Sequence, residues 1–248
     1  MSAPTSHENT YDLRGRVALV AGAHGGLGQA VCLRLLASGA TVYALGHGHD
    51  DAAAQLRSLA GSDGERLHVI SANARDEADV SAAITALVDA ESRLDILVNL
   101  IGGFAAGKPV TEMETDTFTG MLDLNLRPTY LLSKYAARVM ERIGYGRIIN
   151  ISSRAAVSGR RNAAAYAVAK AGVITLSEAQ AEEVRESGVT VNAVLPSIID
   201  TPANRAAMPT AHFDKWPTPE QIARVITFLA SDDAGLISGA SIPVYGRA

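Results

Sequence analysis

Tyr166 and Lys170 stand four residues apart in Tyr166-Ala167-Val168-Ala169-Lys170, which on a helix puts a phenol and an ammonium on one face. A phenol alone is a poor acid–base group near neutrality, with an ordinary pKa of about 10. An ammonium ~5 Å away, at an effective dielectric of ~20, contributes about 3 kcal/mol, or about two pKa units. So tuned, a tyrosine donates a proton to a carbonyl oxygen or takes one from an alcohol, and a nicotinamide cofactor would carry the hydride. Tyr130 and Lys134 share the spacing, so spacing alone does not choose between the pairs. Context separates them. Tyr166 follows the apolar run Gly146–Ile151, which ends in Ser152-Ser153, whereas Tyr130 lies inside a long helical stretch behind Asn125.

A glycine-rich turn is the second feature able to do chemistry. The apolar run Val17–Ala21 leads into Gly22-Ala23-His24-Gly25-Gly26-Leu27-Gly28, and a helical pattern follows. Glycines let the backbone turn tightly and approach a pyrophosphate, and a helix N-terminus offers unpaired N–H groups. The spacing departs from G-x-G-x-x-G, so its weight comes from its place between the first strand and the first helix. His47-Gly48-His49-Asp50 gathers two imidazoles and a carboxylate, but no further ligand cluster accompanies them and no metal is expected. Their place after the second strand suits an adenosine ribose better. Cys32, the lone cysteine, reads as a small buried hydrophobe between Val31 and Leu33. One cysteine allows no internal disulfide, which fits a reducing cytoplasm.

Positioning these residues takes an α/β framework. Apolar, β-branched runs at Val17–Ala21, Thr41–Leu45, His68–Ser71, Ile96–Leu100, Arg147–Ile151, Thr190–Leu195 and Ser241–Val244 read as strands. Helical patterns fill Gly28–Ser38, Glu77–Ala90, Phe118–Arg142, Ala164–Glu186 and Pro219–Ala230. Strands that are apolar throughout and separated by helices imply a parallel sheet covered on both faces. The fold expected is a single doubly wound, Rossmann-like α/β domain, with its ligand site at the carboxyl ends of the strands. Residues 1–14 read as a flexible leader and 15–248 as the catalytic domain. Residues 198–217, with prolines at 202, 209 and 217, show no clear period and read as a substrate lid. The net charge of −4, with scattered basic residues, argues against a nucleic-acid surface, and no apolar run is long enough to span a membrane.

Taken together, the turn, the Ser153–Tyr166 interval and the Tyr166/Lys170 pair resemble the short-chain dehydrogenase/reductase family, over nearly the whole chain. The family's glycine motif opens with Thr where Ala21 stands, and its Asn-Asn-Ala-Gly appears as Asn99-Leu100-Ile101-Gly102. The resemblance implies that Ser153 binds the substrate oxygen, that Tyr166 is the acid–base group and that Lys170 tunes it and holds the nicotinamide ribose. Asn125 would support a proton path to Lys170. Gly22, His24, Gly26, Leu27 and Gly28 would surround the pyrophosphate. Gly46, His47, Asn73 and Ala74 would lie on the adenosine side, with Asn99, Gly102, Ile199 and Thr201 toward the nicotinamide. Residues 198–217 with Gly102-Gly103-Phe104 resemble the quinonoid dihydropteridine reductase branch, which lacks a serine at the position of Ser153.

These residues imply an oxidoreductase that interconverts a carbonyl and an alcohol on a small-molecule substrate, either a flat conjugated ketone or a quinone. Phe104 and Trp216 would stack on such a ring, and Arg154 or Arg205 would meet an acidic or carbonyl group. A quinonoid dihydropteridine-like or imine reductase is the alternative within the enzyme class, and a nucleotide-sensing protein the alternative outside it. Gly46 ends the second strand where NAD-preferring relatives carry an acid, so NADP(H) is favoured over NAD(H), with His47 and His49 able to donate to a phosphate. The long helices resemble the family's oligomer faces, which implies a homotetramer.

Overall fold

Every residue of Val17–Ala21 is buried, and successive side chains enter different cores: Ala18 and Val20 one, Val17, Leu19 and Ala21 the other. Such a strand can only lie inside a sheet covered on both faces. A computed structural model describes residues 11–46 and 50–247 and shows that sheet. Its strands are β1 (Val17–Ala21), β2 (Thr41–Gly46), β3 (Leu67–Ser71), β4 (Ile96–Asn99), β5 (Gly146–Ile151), β6 (Val189–Pro196) and β7 (Ser241–Val244). All pair in parallel, in the order β3-β2-β1-β4-β5-β6-β7. The single doubly wound Rossmann-like domain is therefore the fold.

Helices α1 (Gly26–Ala37) and α8 (Pro219–Ala230) cover one face through Val31, Leu35, Ile222 and Ile226. The other face takes α3 (Glu77–Glu91) and α5 (Arg127–Ile143), with Ile84, Leu87, Leu132 and Met140 inward, and α6 (Ala164–Glu183) beside them. A helix α2 (Asp50–Ala60) was not expected from the sequence, where alanines blur its period. The expected helix 118–142 is two helices, α4 (Thr115–Asn125) and α5, because Pro128 has no N–H with which to continue the ladder. The leader boundary at residue 14 also moves. Leu13 is buried, its N–H bonds Ser38 O at 2.8 Å, and Tyr11 packs on Phe228. Residues 1–10 lie outside the described chain. No described helix is long and apolar enough to cross a membrane.

The chain reverses its winding between β1 and β4, and their carboxyl ends frame the site. There Leu100 N–H bonds Ala21 O at 2.9 Å, and Gly22, at φ +82°, turns the chain away from the sheet. A Cβ on Gly28 would lie 2.2 Å from Gly22 O, so the first turn of α1 sits directly on the strand-to-helix bend. Gly25 has only Gly22 O, at 3.7 Å, near its would-be Cβ. We expect Gly28→Ala to cost about 1–3 kcal/mol by urea unfolding and Gly25→Ala less than about 0.5 kcal/mol. Equal costs at the two positions would contradict this account of the turn.

Candidate active site

Ser153 and Tyr166 come together because β5 ends at Ile151 and α6 starts at Ala164, so the chain between them loops across the sheet's carboxyl edge. Ser153 caps a short 3-10 turn, its Oγ accepting the Ala155 N–H at 3.2 Å. Both side chains are half-buried and reach the mouth of the site. Lys170, one turn along α6 from Tyr166, points inward. It is 4% exposed, and its Nζ donates to Ile151 O at 2.9 Å. Ser152, which precedes the catalytic candidate, donates to Lys170 O at 2.7 Å and so ties α6 to the end of β5.

Burial acts oppositely on the two titratable groups. It raises the Tyr166 phenol, which a hydrogen bond from Ser153 only partly offsets. It lowers the Lys170 ammonium to about 8. The sequence-based expectation that Lys170 depresses Tyr166 is thus corrected for the protein alone. Loss of solvent outweighs other influences on the phenol, and the ammonium is committed to the Ile151 carbonyl.

Asn125, at the end of α4, grips the backbone of Gly103 from both sides. Its Oδ1 accepts Gly103 N–H at 3.1 Å and its Nδ2 donates to Gly103 O at 3.0 Å. A Cβ on Gly102 would stand 2.5 Å from Asn125 Oδ1 and 2.9 Å from Lys170 Nζ, so glycine there lets both groups close on one point. Gly103 is a positioning residue that sequence reasoning treated only as a neighbour of Phe104. Asn99 is buried, and its Oδ1 accepts Ile101 N–H at 3.3 Å.

The glycine turn fits a dinucleotide. Helix α1 starts after Gly25 with no side-chain cap, and although Gly25 N–H bonds Gly22 O, both Gly25 and Gly26 are exposed and the N–H groups that follow in the first turn face outward to an anion. Thr201 packs over them, its Cγ2 3.4 Å from the would-be Cβ of Gly26. Ile199 follows β6, and its carbonyl accepts Asn204 Nδ2 at 2.8 Å. On the adenosine side the end of β2 is Gly46, with His24 against it, while Ala74 is buried and Asn73 Oδ1 accepts Arg75 N–H. His47 and His49 lie outside the described residues.

A family model described as Enoyl-(Acyl carrier protein) reductase matches residues 22–246. The chain belongs to the short-chain dehydrogenase/reductase family. It is 33% identical to a 3-oxoacyl-(acyl-carrier-protein) reductase of Vibrio harveyi over 95% of this chain and 98% of that one. Among solved structures it is similar to ElxO with NADP bound, at TM-score 0.87 and 28% identity over 93% of this chain and 97% of that one. It is also similar to an NAD+-bound xylitol dehydrogenase, at TM-score 0.85 and 25% identity over 94% and 99%. This short-chain dehydrogenase/reductase is an NAD(P)-dependent oxidoreductase that interconverts a carbonyl and an alcohol.

At the mouth of the site, Phe104 is 56% exposed and meets the Tyr166 ring edge-on at 5.1 Å, so its ring is open to solvent. Trp216 is not. It is 7% exposed and packs against Phe213, an anchor beneath residues 198–217. That stretch is also more regular than expected, with a helix α7 (Pro202–Ala207) capped by Thr201 and a 3-10 turn at Phe213–Lys215. Arg205 is occupied by Asp200, at 2.5 and 2.8 Å, and Arg154 lies over the Tyr245 ring at 5.2 Å. The guanidinium beside Phe104 is instead Arg160, 5.5 Å from its ring, a residue not singled out in the sequence. Its signal was there: Ser153–Ala163 carries three arginines and no acid.

The depressed ammonium gives a stability test. Between pH 8 and the usual 10.5 the unfolded chain holds the Lys170 proton and the folded chain releases it, so Lys170's destabilising effect fades as pH rises. In urea unfolding, the stability of Lys170→Met relative to the native chain should therefore fall by up to about 3 kcal/mol from pH 7 to pH 10.5. A difference independent of pH would mean that the ammonium is solvated in the folded protein.

Proposed function

We propose that this enzyme is an NADP(H)-preferring ketone reductase, with Ser153, Tyr166 and Lys170 as its catalytic group. The observation that carries the reading is their convergence at the carboxyl ends of β4 and β5, next to the open glycine turn. A nicotinamide dinucleotide would supply or accept the hydride. Ser153 would hold the substrate oxygen, and Tyr166, kept protonated by its burial, would donate the proton that makes it a hydroxyl. Lys170 would hold the ribose side of the cofactor and restore the proton, with Asn125 and Gly103 fixing the loop beside it. The absence of an acid at Gly46 supports NADP(H), by about tenfold or 1.4 kcal/mol.

The substrate proposed is a small ketone with a flat conjugated or anionic group beside the carbonyl. Phe104 offers a ring face, and Arg160 lies over that ring with no carboxylate partner among the described residues. A second copy of the chain is the proposed occupant of the apolar groove of about 570 Å3 between α4 and α6, lined by Leu122, Leu126, Tyr130 and Leu176. A homotetramer in a reducing cytoplasm completes the reading.

Tyr166→Phe should lower kcat by about 10²- to 10⁴-fold while nucleotide still binds, and Tyr130→Phe should leave it within about twofold. Tyr130 is a surface residue whose neighbour Lys134 is bound to Glu77 at 2.6 Å. Inactivation by the Tyr130 change alone would overturn the assignment. For the substrate, a 3-oxo carboxylate and its neutral ester form a matched pair. Arg160→Gln should raise KM for the acid by about tenfold and leave the ester nearly unchanged, with kcat preserved for both. Equal effects on both would remove Arg160 from substrate recognition.

A further inference from the structure

We infer that Tyr245 is a positioning residue for the reaction, its ring bracing the turn that holds Ser153 toward the substrate oxygen. The inference rests on the catalytic reading proposed above. Ser153 opens a 3-10 turn over Arg154–Ala156, and its Oγ accepts Ala155 N–H at 3.2 Å. On the sheet side the chain is pinned at Ser152, whose N–H bonds Val194 O at 2.9 Å. Beyond Ser153 the turn closes on itself, with Val157 N–H and Ser158 N–H both on Arg154 O at 3.2 Å, and its outer side is exposed at Arg154, Val157 and Ser158. Local bonds of this kind set the shape of a turn but not its tilt against the rest of the site. The Arg154 guanidinium lies over the Tyr245 ring, 5.2 Å from its centre, which ties that tilt to a separate segment of the chain.

A brace must itself be held. Tyr245 follows β7, whose last pair in the sheet is Val244 with Pro196 of β6. Ser197 carries the pairing one residue further: its N–H bonds Val244 O at 3.3 Å and its hydroxyl donates to Tyr245 O at 2.7 Å. Gly246, at φ +66°, then turns the chain against residues 215–217, where a Cβ on it would lie 2.6 Å from Lys215 O and 3.0 Å from Pro217 Cδ. Arg247 N–H closes that turn on Lys215 O at 2.8 Å. Tyr245 is thus fastened on both sides, and its half-buried ring meets the loop after β5. The pyrophosphate and adenosine side of the site is built elsewhere, from the glycine turn and the ends of β1 and β2. Loss of the ring should therefore blur the placement of Ser153 and spare the hold on the dinucleotide. A misplacement of about 1 Å is enough to cost on the order of 100-fold in rate.

The test compares Tyr245→Leu with Tyr245→Phe in the full chain, by ketone reduction, nucleotide binding and amide hydrogen exchange, with circular dichroism confirming that each variant is folded. Tyr245→Leu should lower kcat about tenfold and leave the Kd for NADP+ within about twofold. It should also speed exchange across residues 155–158 about tenfold, a readout that needs no turnover. Tyr245→Phe keeps the ring face under the guanidinium and should restore both kcat and exchange protection. Arg154→Met should reproduce the Tyr245→Leu loss, and the double variant should be no slower than the worse single one, because the two changes remove one contact. Equal losses in the Leu and Phe variants, or multiplied losses in the double variant, would overturn the inference. Unchanged exchange in Tyr245→Leu would overturn the brace whether or not turnover is seen. A native chain that reduces no ketone, with exchange responding as expected, would instead overturn the catalytic reading on which the role rests.

Discussion

A charged lysine held out of water dominates the architecture of the site. Lys170 Nζ has the Ile151 carbonyl at 2.9 Å, and burial of the ammonium lowers its pKa. A buried charge is tolerated only where neighbouring dipoles and fixed geometry compensate for lost hydration. Several otherwise unrelated residue choices serve that end. Ser152 fastens the Lys170 carbonyl to the end of β5. Gly102 brings a loop without side-chain bulk against the ammonium, and Asn125 locks that loop by its next residue. Gly172 lets α6 approach α4 closely, since a Cβ there would lie 2.9 Å from Leu126 Cδ2. Removal of any one of these would free either the lysine or the loop.

The two ends of the sheet divide the remaining polar work. At the amino end, Asp95 is fully buried and accepts Val17 N–H at 2.8 Å and Arg93 at 2.8 and 2.6 Å. Tyr145 is sandwiched there between Arg16 and Arg147, at 3.7 and 4.3 Å. Groups at this end are matched to one another, which suits a role in holding strands in register. At the carboxyl end, the first turn of α1 is uncapped, Ser153 and Tyr166 face the mouth, and Phe104 is exposed. Function collects where the chain leaves its hydrogen-bonding capacity open, and stability collects at the opposite edge.

The fold was largely legible because its signal is burial. All seven strands lie within a residue or so of the runs read from their apolar, β-branched character, and α8 matches at both ends. The departures have local causes. Helix α2 was hidden by Asp-Asp-Ala-Ala-Ala, which has no apolar period of its own, and α4 and α5 fused in the reading because Pro128 lies near the start of a helix, where it also promotes one. Within the site, identity and spacing singled out Tyr166 and Lys170, and the family resemblance added Ser153 and Asn125; the chemistry proposed for all four is in their side chains. Gly103 and the contact of His24 with Gly46 were not legible, and Arg160 showed only as one of three arginines between Ser153 and Ala163. Their roles depend on which backbone or ring lies opposite, and that is a property of the packed chain. Trp216 and Arg205 failed for the complementary reason: their types suit recognition, but Phe213 and Asp200 already engage them.

The same physical cause that complicates Lys170 decides how Tyr166 can act. Desolvation disfavours charge whatever its sign, so it raises an acid and lowers a base. In water a phenol and an ammonium lose their protons at nearly the same pH. In this site they separate, with Tyr166 moved up and Lys170 moved down to about 8. Near neutrality the protein alone therefore holds Tyr166 as a neutral phenol and Lys170 as a charge close to release. A neutral phenol is the form that gives a proton to a developing alkoxide, and a lysine with a depressed pKa is a ready source for replacing it. On the catalytic reading proposed above, this arrangement suits the carbonyl-to-alcohol direction. Running it backwards requires a phenolate, which the buried site resists unless added positive charge offsets the desolvation.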